Sequence, residues 1–485
     1  MTPRLSSYLR LLAGLLILLA ACSAPDEAAE GPPLEPCKLP GDVDAQCGSL
    51  TVPENRDDPG GRQIDLYFAV LPAQSSLPDS DPVFMLAGGP GQAATEAYPF
   101  VVPFFGNLNQ NRDIVLVDQR GTGQSNPLDC PELQDLSLDS SDQEALDIIE
   151  RCRQTLAQRA DLTQYTTDVA MQDLDAVRQA LGYAQINLIG ASYGSRAALR
   201  YMALFPHNVR SAVLTAVAGP ELVLQLQAPA DGQRALTLLF ERCRADDACR
   251  QAFPGFESAF DEARRDLQQG REVTFRHPIS GQRETFTLEQ EAYMEGLFTL
   301  LYSPELVSLL PLMVAETVET GDYGPLLAQM VALTADLNSY EGMFFAVVCS
   351  EDAPLIDLQE AESIQEGSLF PLRAEELVRQ CENWPRAEIA PSFREPLRSD
   401  IPTLLLSGEA DPITPPYYAA QVAAVLSNSH SLTLPGFGHD VLLAGCMPAV
   451  VTAFIGAGAV DELETDCVEE ITPPAFFVSP GGPTP

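Results

Sequence analysis

A serine hydroxyl becomes a useful nucleophile when the backbone lifts it clear and a base can take its proton. Ser192 stands in Gly190-Ala191-Ser192-Tyr193-Gly194, after the apolar run Ile186–Ile189 and before a helix-spaced stretch from Gly194 to Phe205. Strand, sharp turn and helix are the setting in which a GxSxG serine is presented, and the small flanking residues leave room for backbone crossing close by. A plain tight turn with a serine capping the next helix is the competing reading. The chain has 4 histidines to serve as base: His207, His277, His430 and His439. His439 lies in Gly436-Phe437-Gly438-His439-Asp440, a loop just after the last expected strand; the other three sit at a helix end, in a hairpin and at a strand start. An acid must then hold the imidazole tautomer and stabilise its cation. Asp411 follows the strand 403–407 in Gly408-Glu409-Ala410-Asp411-Pro412, with Glu409 the competing carboxylate. The tetrahedral intermediate of acyl transfer needs fixed N–H donors for its oxyanion. The N–H of Tyr193, next to the nucleophile, is one candidate. Gly89, in the loop Ala87-Gly88-Gly89-Pro90-Gly91, is the other, since Pro90 has no N–H. The chemistry these residues spell is acyl transfer by a Ser192–His439–Asp411 triad.

The elements around them alternate. Ile64, Leu66, Phe68 and Val70 predict a half-buried strand by their period of two, and 83–86, 114–117, 186–189 and 209–217 read as further strands. A helix is expected over 167–181, with Val169, Leu174, Val177 and Leu181 on its apolar stripe and Gly182 as its stop. Strand–helix alternation argues for a mostly parallel sheet covered by helices on both faces. From about 219 to 398 the alternation gives way to helical segments, such as 234–243 and 297–318, and one hairpin across Ser280-Gly281. Strands return at 403–406 and 431–434. The expected division is a signal peptide (1–21), a tether and N-terminal segment (22–46), a first core part (47–218), a mainly helical cap (219–398), a second core part (399–472) and a tail (473–485).

Composition narrows the function classes. The chain has 485 residues, 46% of them hydrophobic, and a formal net charge of −40. Nucleic acid is excluded as an expected partner, because phosphate binding needs a basic face. Arg4 and Arg10 precede the apolar run 11–21, too short to span a bilayer and typical of a secretory signal. It ends Leu19-Ala20-Ala21-Cys22, which resembles the bacterial lipobox. Cys22 is therefore the expected lipidation site and the membrane tether, in the outer membrane if the cell is Gram-negative; a plain cleaved signal is the alternative. Setting Cys22 aside, the remaining cysteines form an even set, which in an exported chain suggests disulfides in an oxidising compartment. Neighbour pairing (37–47, 130–152, 243–249, 349–381 and 446–467) is the simplest arrangement, although sequence alone leaves the connectivity open. No dinucleotide fingerprint and no metal-ligand spacing occurs, so no cofactor is expected.

These pieces together resemble a family. GGPG at 88–91, DQRGTGQS at 118–125, YTTDVAMQDLDAVRQALG at 165–182, GASYGSRAAL at 190–199, CSED at 349–352, CENWP at 381–385, GEADPITPP at 408–416 and GFGHD at 436–440 are similar to proline iminopeptidases and, more closely, to secreted tripeptidyl aminopeptidase-like proteins. The order Ser192, Asp411, His439 is that of α/β-hydrolases. Ala87 departs from the pattern, standing where proline iminopeptidases carry His before GGPG. The resemblance implies an α/β-hydrolase fold and hydrolysis of peptides from a free N-terminus. It also implies cap carboxylates that bind the substrate ammonium, for which Glu351 and Asp352 are the candidates, pinned by a Cys349–Cys381 bridge. Arg120 reads as a loop anchor. A carboxylesterase with the same triad and a non-catalytic surface-binding lipoprotein are the two other readings.

Overall fold

Short runs that are apolar on both faces make strands only when both faces are covered. Val83–Leu86 (β4), Ile114–Val117 (β5), Ile186–Ala191 (β6) and Thr403–Gly408 (β10) are such runs. In this computed structural model, residues 31–134, 136, 140–335, 339–371, 373–461 and 463–483 are described, so the expected signal peptide and Cys22 lie outside the described residues. With β1 (Glu35–Leu39), β2 (Val43–Pro53), β3 (Gln63–Leu71), β7 (Val209–Thr215) and β11 (Ser429–Leu434), these strands form a 9-stranded sheet in the order β1-β2-β3-β5-β4-β6-β7-β10-β11. The β1–β2–β3–β5 pairs are antiparallel, and every pair from β5 across to β11 is parallel.

The period of two sorts side chains onto two layers. Leu188 of β6 and Leu405 of β10 face one core with the helices Thr167–Ala180 and Tyr193–Leu204. Ile189, Leu404 and Leu406 face the other core, with Met447, Val450 and Phe454 of the helix Met447–Ala457. The helix Thr167–Ala180 starts where the Thr166 side chain accepts from the Val169 N–H and stops before Gly182, whose φ is 78°.

Between β7 and β10 the chain leaves the sheet. Helices from Ala228–Ala245 to Gly324–Ala335, with the antiparallel hairpin β8 (Arg271–Arg276) and β9 (Arg283–Leu288), enclose a separate core around Leu239, Phe260, Tyr293, Phe298 and Leu310, whereas the helix Glu341–Glu351 packs Met343, Phe345 and Val348 into the core that holds Leu188. The expected helical run 297–318 is two helices, Gln290–Leu300 and Pro304–Thr320. Ser303 caps the second by accepting from the Leu306 N–H, and Pro304 begins it.

Order also begins earlier than Cys47. The β1–β2 hairpin is joined by Cys37–Cys47, and Pro40-Gly41 at its turn interrupts the alternation that would have marked it. The chain beyond Pro473 returns to the cap, where Phe476 is 2% exposed and lies within the cap core. Five disulfides join neighbouring cysteines: Cys37–Cys47, Cys130–Cys152, Cys243–Cys249, Cys349–Cys381 and Cys446–Cys467.

Candidate active site

Parallel strands put their loops, and therefore their functional side chains, at one edge of the sheet. Ser192 follows β6, Asp411 follows β10 and His439 follows β11, all at carboxyl ends of strands that run in parallel. Ser192 has φ 57° and ψ −124°, a left-handed conformation that a serine adopts only under local constraint. The constraint is visible around it. A Cβ on Gly190 would strike the carbonyl of Gly194, and a Cβ on Gly194 would strike the carbonyls of Leu86 and Ala87. The Ser192 N–H bonds the carbonyl of Thr215 at 3.0 Å, and its own carbonyl accepts from the Ser195 hydroxyl at 2.6 Å.

His439 Nδ1 lies 2.8 Å from Asp411 Oδ2. Asp411 is fully buried and also accepts the N–H groups of Ile413 and Thr414, each at 2.9 Å, and the Thr414 hydroxyl at 2.7 Å. Burial alone would raise the Asp411 carboxyl, but the neighbouring His439 and these bonds outweigh it and hold it below its ordinary range. His439 moves the other way: burial lowers it, Asp411 raises it more, and the net direction is up. The His439 N–H bonds the Tyr302 carbonyl of the cap at 2.8 Å, and the Tyr302 ring lies 4.9 Å from the imidazole. A cap arginine, Arg234, donates to the carbonyl of Glu409 at 2.6 Å, fastening the Asp411 loop from above. Glu409 itself turns back to accept from the Gly436 N–H at 2.9 Å.

The loop after β4 closes over the serine. Gly88 lies so near that a Cβ there would sit 3.2 Å from Ser192 Cβ. Gly89 has φ 101°, which glycine alone adopts freely. Tyr193 opens the helix Tyr193–Leu204, so its N–H belongs to the first turn and has no intrahelical acceptor. Asp118 fixes this loop by accepting the Thr95 N–H at 2.9 Å and the Gln124 N–H at 3.1 Å. Arg120 is fully buried, with Asp173 at 2.5 and 2.8 Å and the carbonyls of Glu54 and Gln164 at 2.6 and 3.0 Å, so it is an anchor.

The two acids expected to meet a substrate ammonium are not free to do so. Asp352 is fully buried; Arg196 donates to it at 2.9 and 3.2 Å, Arg394 at 3.0 Å and the Leu224 N–H at 3.0 Å. Burial would raise this carboxyl, yet the two guanidinium groups hold it down, as in a structural ion pair. Glu351 is 2% exposed, and both oxygens are taken by Thr167, the N–H at 2.7 Å and the hydroxyl at 2.8 Å. Burial pushes it up to about 7, against the Thr167 N–H and Arg196. Both acids cement the cap-proximal helix Glu341–Glu351 to the core. Sequence reasoning passed over Thr414, whose hydroxyl also lies 3.2 Å from His439 Nδ1, and Tyr302. The spacing Asp411-Pro-Ile-Thr414 carried a signal for the first; nothing local marked the second. Among the described residues no group of His, Cys, Asp and Glu could hold a metal ion.

Comparison with known proteins bears on the fold and the reaction class. A family model described as alpha/beta hydrolase fold matches residues 81–284, and one described as TAP-like protein matches 370–467. The serine protease Hip1 of Mycobacterium tuberculosis is 25% identical over 511 aligned positions, covering 96% of each chain. The tripeptidyl aminopeptidase of Streptomyces lividans is 30% identical over 224 residues, 41% of each chain. The proline iminopeptidase of Neisseria gonorrhoeae is 31% identical over 158 residues, 33% of this chain and 39% of its own. Among solved structures, a proline iminopeptidase-related protein from Thermus thermophilus is 16% identical with a TM-score of 0.40, covering 85% of this chain and 96% of its own. With both family models in sequence on one sheet, and with relatives named as serine protease and aminopeptidases, the chain is a serine hydrolase of the α/β-hydrolase fold, similar over parts of its length to tripeptidyl aminopeptidases and proline iminopeptidases.

Proposed function

We propose that the chain is an extracytoplasmic serine peptidase that releases short peptides from a free N-terminus. The observation that carries the catalytic part is that Ser192, Asp411 and His439 each follow the carboxyl end of a strand in the parallel sheet, with His439 bonded to Asp411 at 2.8 Å. His439 takes the Ser192 proton as Oγ attacks the scissile carbonyl. The N–H groups of Tyr193 and Gly89 receive the oxyanion. The imidazolium, held by Asp411, then protonates the leaving amine, and water repeats the sequence in reverse to free the acyl group.

The substrate end follows from the relatives' names and from one acid near the GGPG loop. We assign recognition of the substrate ammonium to Glu96 in place of Glu351 and Asp352. Glu96 stands on the turn after that loop and accepts from the Tyr340 hydroxyl at 2.9 Å, while its Oε2 is buried with no hydrogen-bond partner among the described residues. Tyr340 in turn touches the loop, its N–H bonding the Gly91 carbonyl at 2.9 Å. A buried carboxylate oxygen without a donor is costly unless a ligand supplies one, and an ammonium does so.

The five disulfides favour an oxidising compartment, and a lipid on Cys22 would tether the chain there. The test is release of a chromophore from H-Ala-Ala-Pro, H-Pro and N-acetyl-Ala-Ala-Pro amides beside a short-chain ester. Turnover of the free-amine peptide and none of its acetylated twin supports the proposal. Ester turnover without amide cleavage contradicts it and leaves a carboxylesterase. A folded chain that no serine-directed phosphonate labels would be a binding protein.

A further inference from the structure

We propose that Glu351 is a positioning residue for the oxyanion hole, acting through Thr167 and the Tyr193 side chain on the Tyr193 N–H. The proposal rests on the serine-hydrolase mechanism above and concerns what holds one of its donors in place.

Tyr193 carries both ends of the argument. Its N–H is the donor next to Ser192, and its side chain, 2% exposed, runs into the core. Two other elements reach its hydroxyl. Gln119, from the loop after β5, donates through Nε2 at 2.9 Å, and Thr167 Oγ1 lies at 2.7 Å. Thr167 Oγ1 then donates to Glu351 Oε2 at 2.8 Å.

With Glu351 ionised, the direction of this chain is fixed by its ends. An amide nitrogen only donates, so the phenol receives from Gln119 and must give its own proton to Thr167. Thr167, having received one, gives its proton to Glu351. The second Glu351 oxygen takes the Thr167 N–H at 2.7 Å, which fixes the rotamer of the carboxylate. Every hydroxyl in the series donates once and accepts once, and the carboxylate is the terminal acceptor that makes the order possible. Such a series is stiffer than its separate bonds.

The placement of Glu351 is otherwise unfavourable. It is the last residue of the helix Glu341–Glu351, where the helix dipole opposes a negative charge. It is compensated at the start of the helix Thr167–Ala180, whose first N–H it accepts, and Cys349–Cys381 holds its segment. A helix cap alone would need only the Thr167 N–H. The further bond to the Thr167 hydroxyl, and through it to the residue beside the nucleophile, is what a cap does not require.

Glu351→Gln tests this at nearly constant shape. Its amide nitrogen would donate towards the Thr167 hydroxyl, reverse that hydroxyl and leave the Tyr193 phenol proton without an acceptor. The readouts are kcat and KM on H-Ala-Ala-Pro amide for Glu351→Gln, Tyr193→Phe and the double variant. Removing an oxyanion donor outright costs about 10²–10³ in kcat, so misaiming one should cost roughly 10-fold, with KM within about twofold. The double variant should be no slower than the slower single one, because both cut the same series. A Glu351→Gln kcat within twofold of the parent, losses that multiply in the double variant, or a change confined to KM overturns the proposal. If Glu351→Gln does not fold, Thr167→Val and Tyr193→Phe give the same cycle, and Thr167→Ser, which keeps the hydroxyl, should recover most of what Thr167→Val loses. An enzyme that cleaves only esters contradicts the peptidase reading but leaves the same ratios readable on the ester, since the same oxyanion forms.

Discussion

At the scale of single residues, the proposed triad rests on how Asp411 is held. Four donors converge on one buried carboxylate: His439, the Thr414 hydroxyl and the N–H groups of Ile413 and Thr414. Thr414→Val removes a hydrogen bond to a charged group, worth about 1.5–3 kcal/mol, and a neighbour of His439 Nδ1. We expect kcat to fall about 10-fold or more with little change in KM, measured on H-Ala-Ala-Pro amide; an unchanged kcat would mean the hydroxyl plays no part in orienting the acid. His439 is raised above its ordinary 6.5 by Asp411. The base must be neutral, so activity is lost as the pH falls through the raised value. The acid limb of the kcat/KM profile should have its midpoint above pH 6.5, and a midpoint below it contradicts the assignment. Glu96→Gln should raise KM for the free-amine tripeptide amide and leave ester hydrolysis unaffected; equal effects on both substrates would remove Glu96 from ammonium recognition. Much of this was legible in sequence, because Ser192, Asp411 and His439 each carry a local turn signature. Glu351 and Asp352 were misread because adjacent acids look alike whether they face solvent or a buried arginine, and Arg196 and Arg394, Asp352's partners, lie 156 and 42 residues away.

At the scale of elements, the parallel sheet was legible because its strands are apolar on both faces and bounded by glycine-rich turns. The first hairpin was not, since Pro40-Gly41 breaks its alternation and its register is set by pairing with β3, which no local pattern shows. The split of 297–318 into two helices turns on Ser303-Pro304, a stop-and-start signal overridden by the continuous apolar run around it. The helix Glu341–Glu351 depends on Cys349–Cys381, which spans 32 residues. Replacing both cysteines by serine should cost ~3–4 kcal/mol from chain entropy, read as a lower denaturant midpoint at unchanged slope. A loss below about 1 kcal/mol would show that packing alone holds this helix against Thr167.

At the scale of the molecule, cap and core are joined by more than their two crossovers. The C-terminal segment returns to the cap, where Phe476 is buried, Arg242 stacks on its ring at 4.3 Å and the Phe477 N–H bonds the Ser308 carbonyl at 3.0 Å. No local pattern hinted at this, because a Pro/Gly-rich tail has no period to read. The net charge of −40 sets the long-range field. Cationic peptides should therefore show a KM that rises with ionic strength, whereas a neutral tripeptide should not. All of these expectations presuppose that Ser192 is the nucleophile of a peptidase that requires a free amine. The most direct measurement is cleavage of H-Ala-Ala-Pro amide against its N-acetyl twin by the folded chain and by Ser192→Ala. The account predicts turnover of the free-amine substrate alone, abolished in Ser192→Ala; equal cleavage of the acetylated peptide, or activity that survives the loss of Ser192, would contradict it.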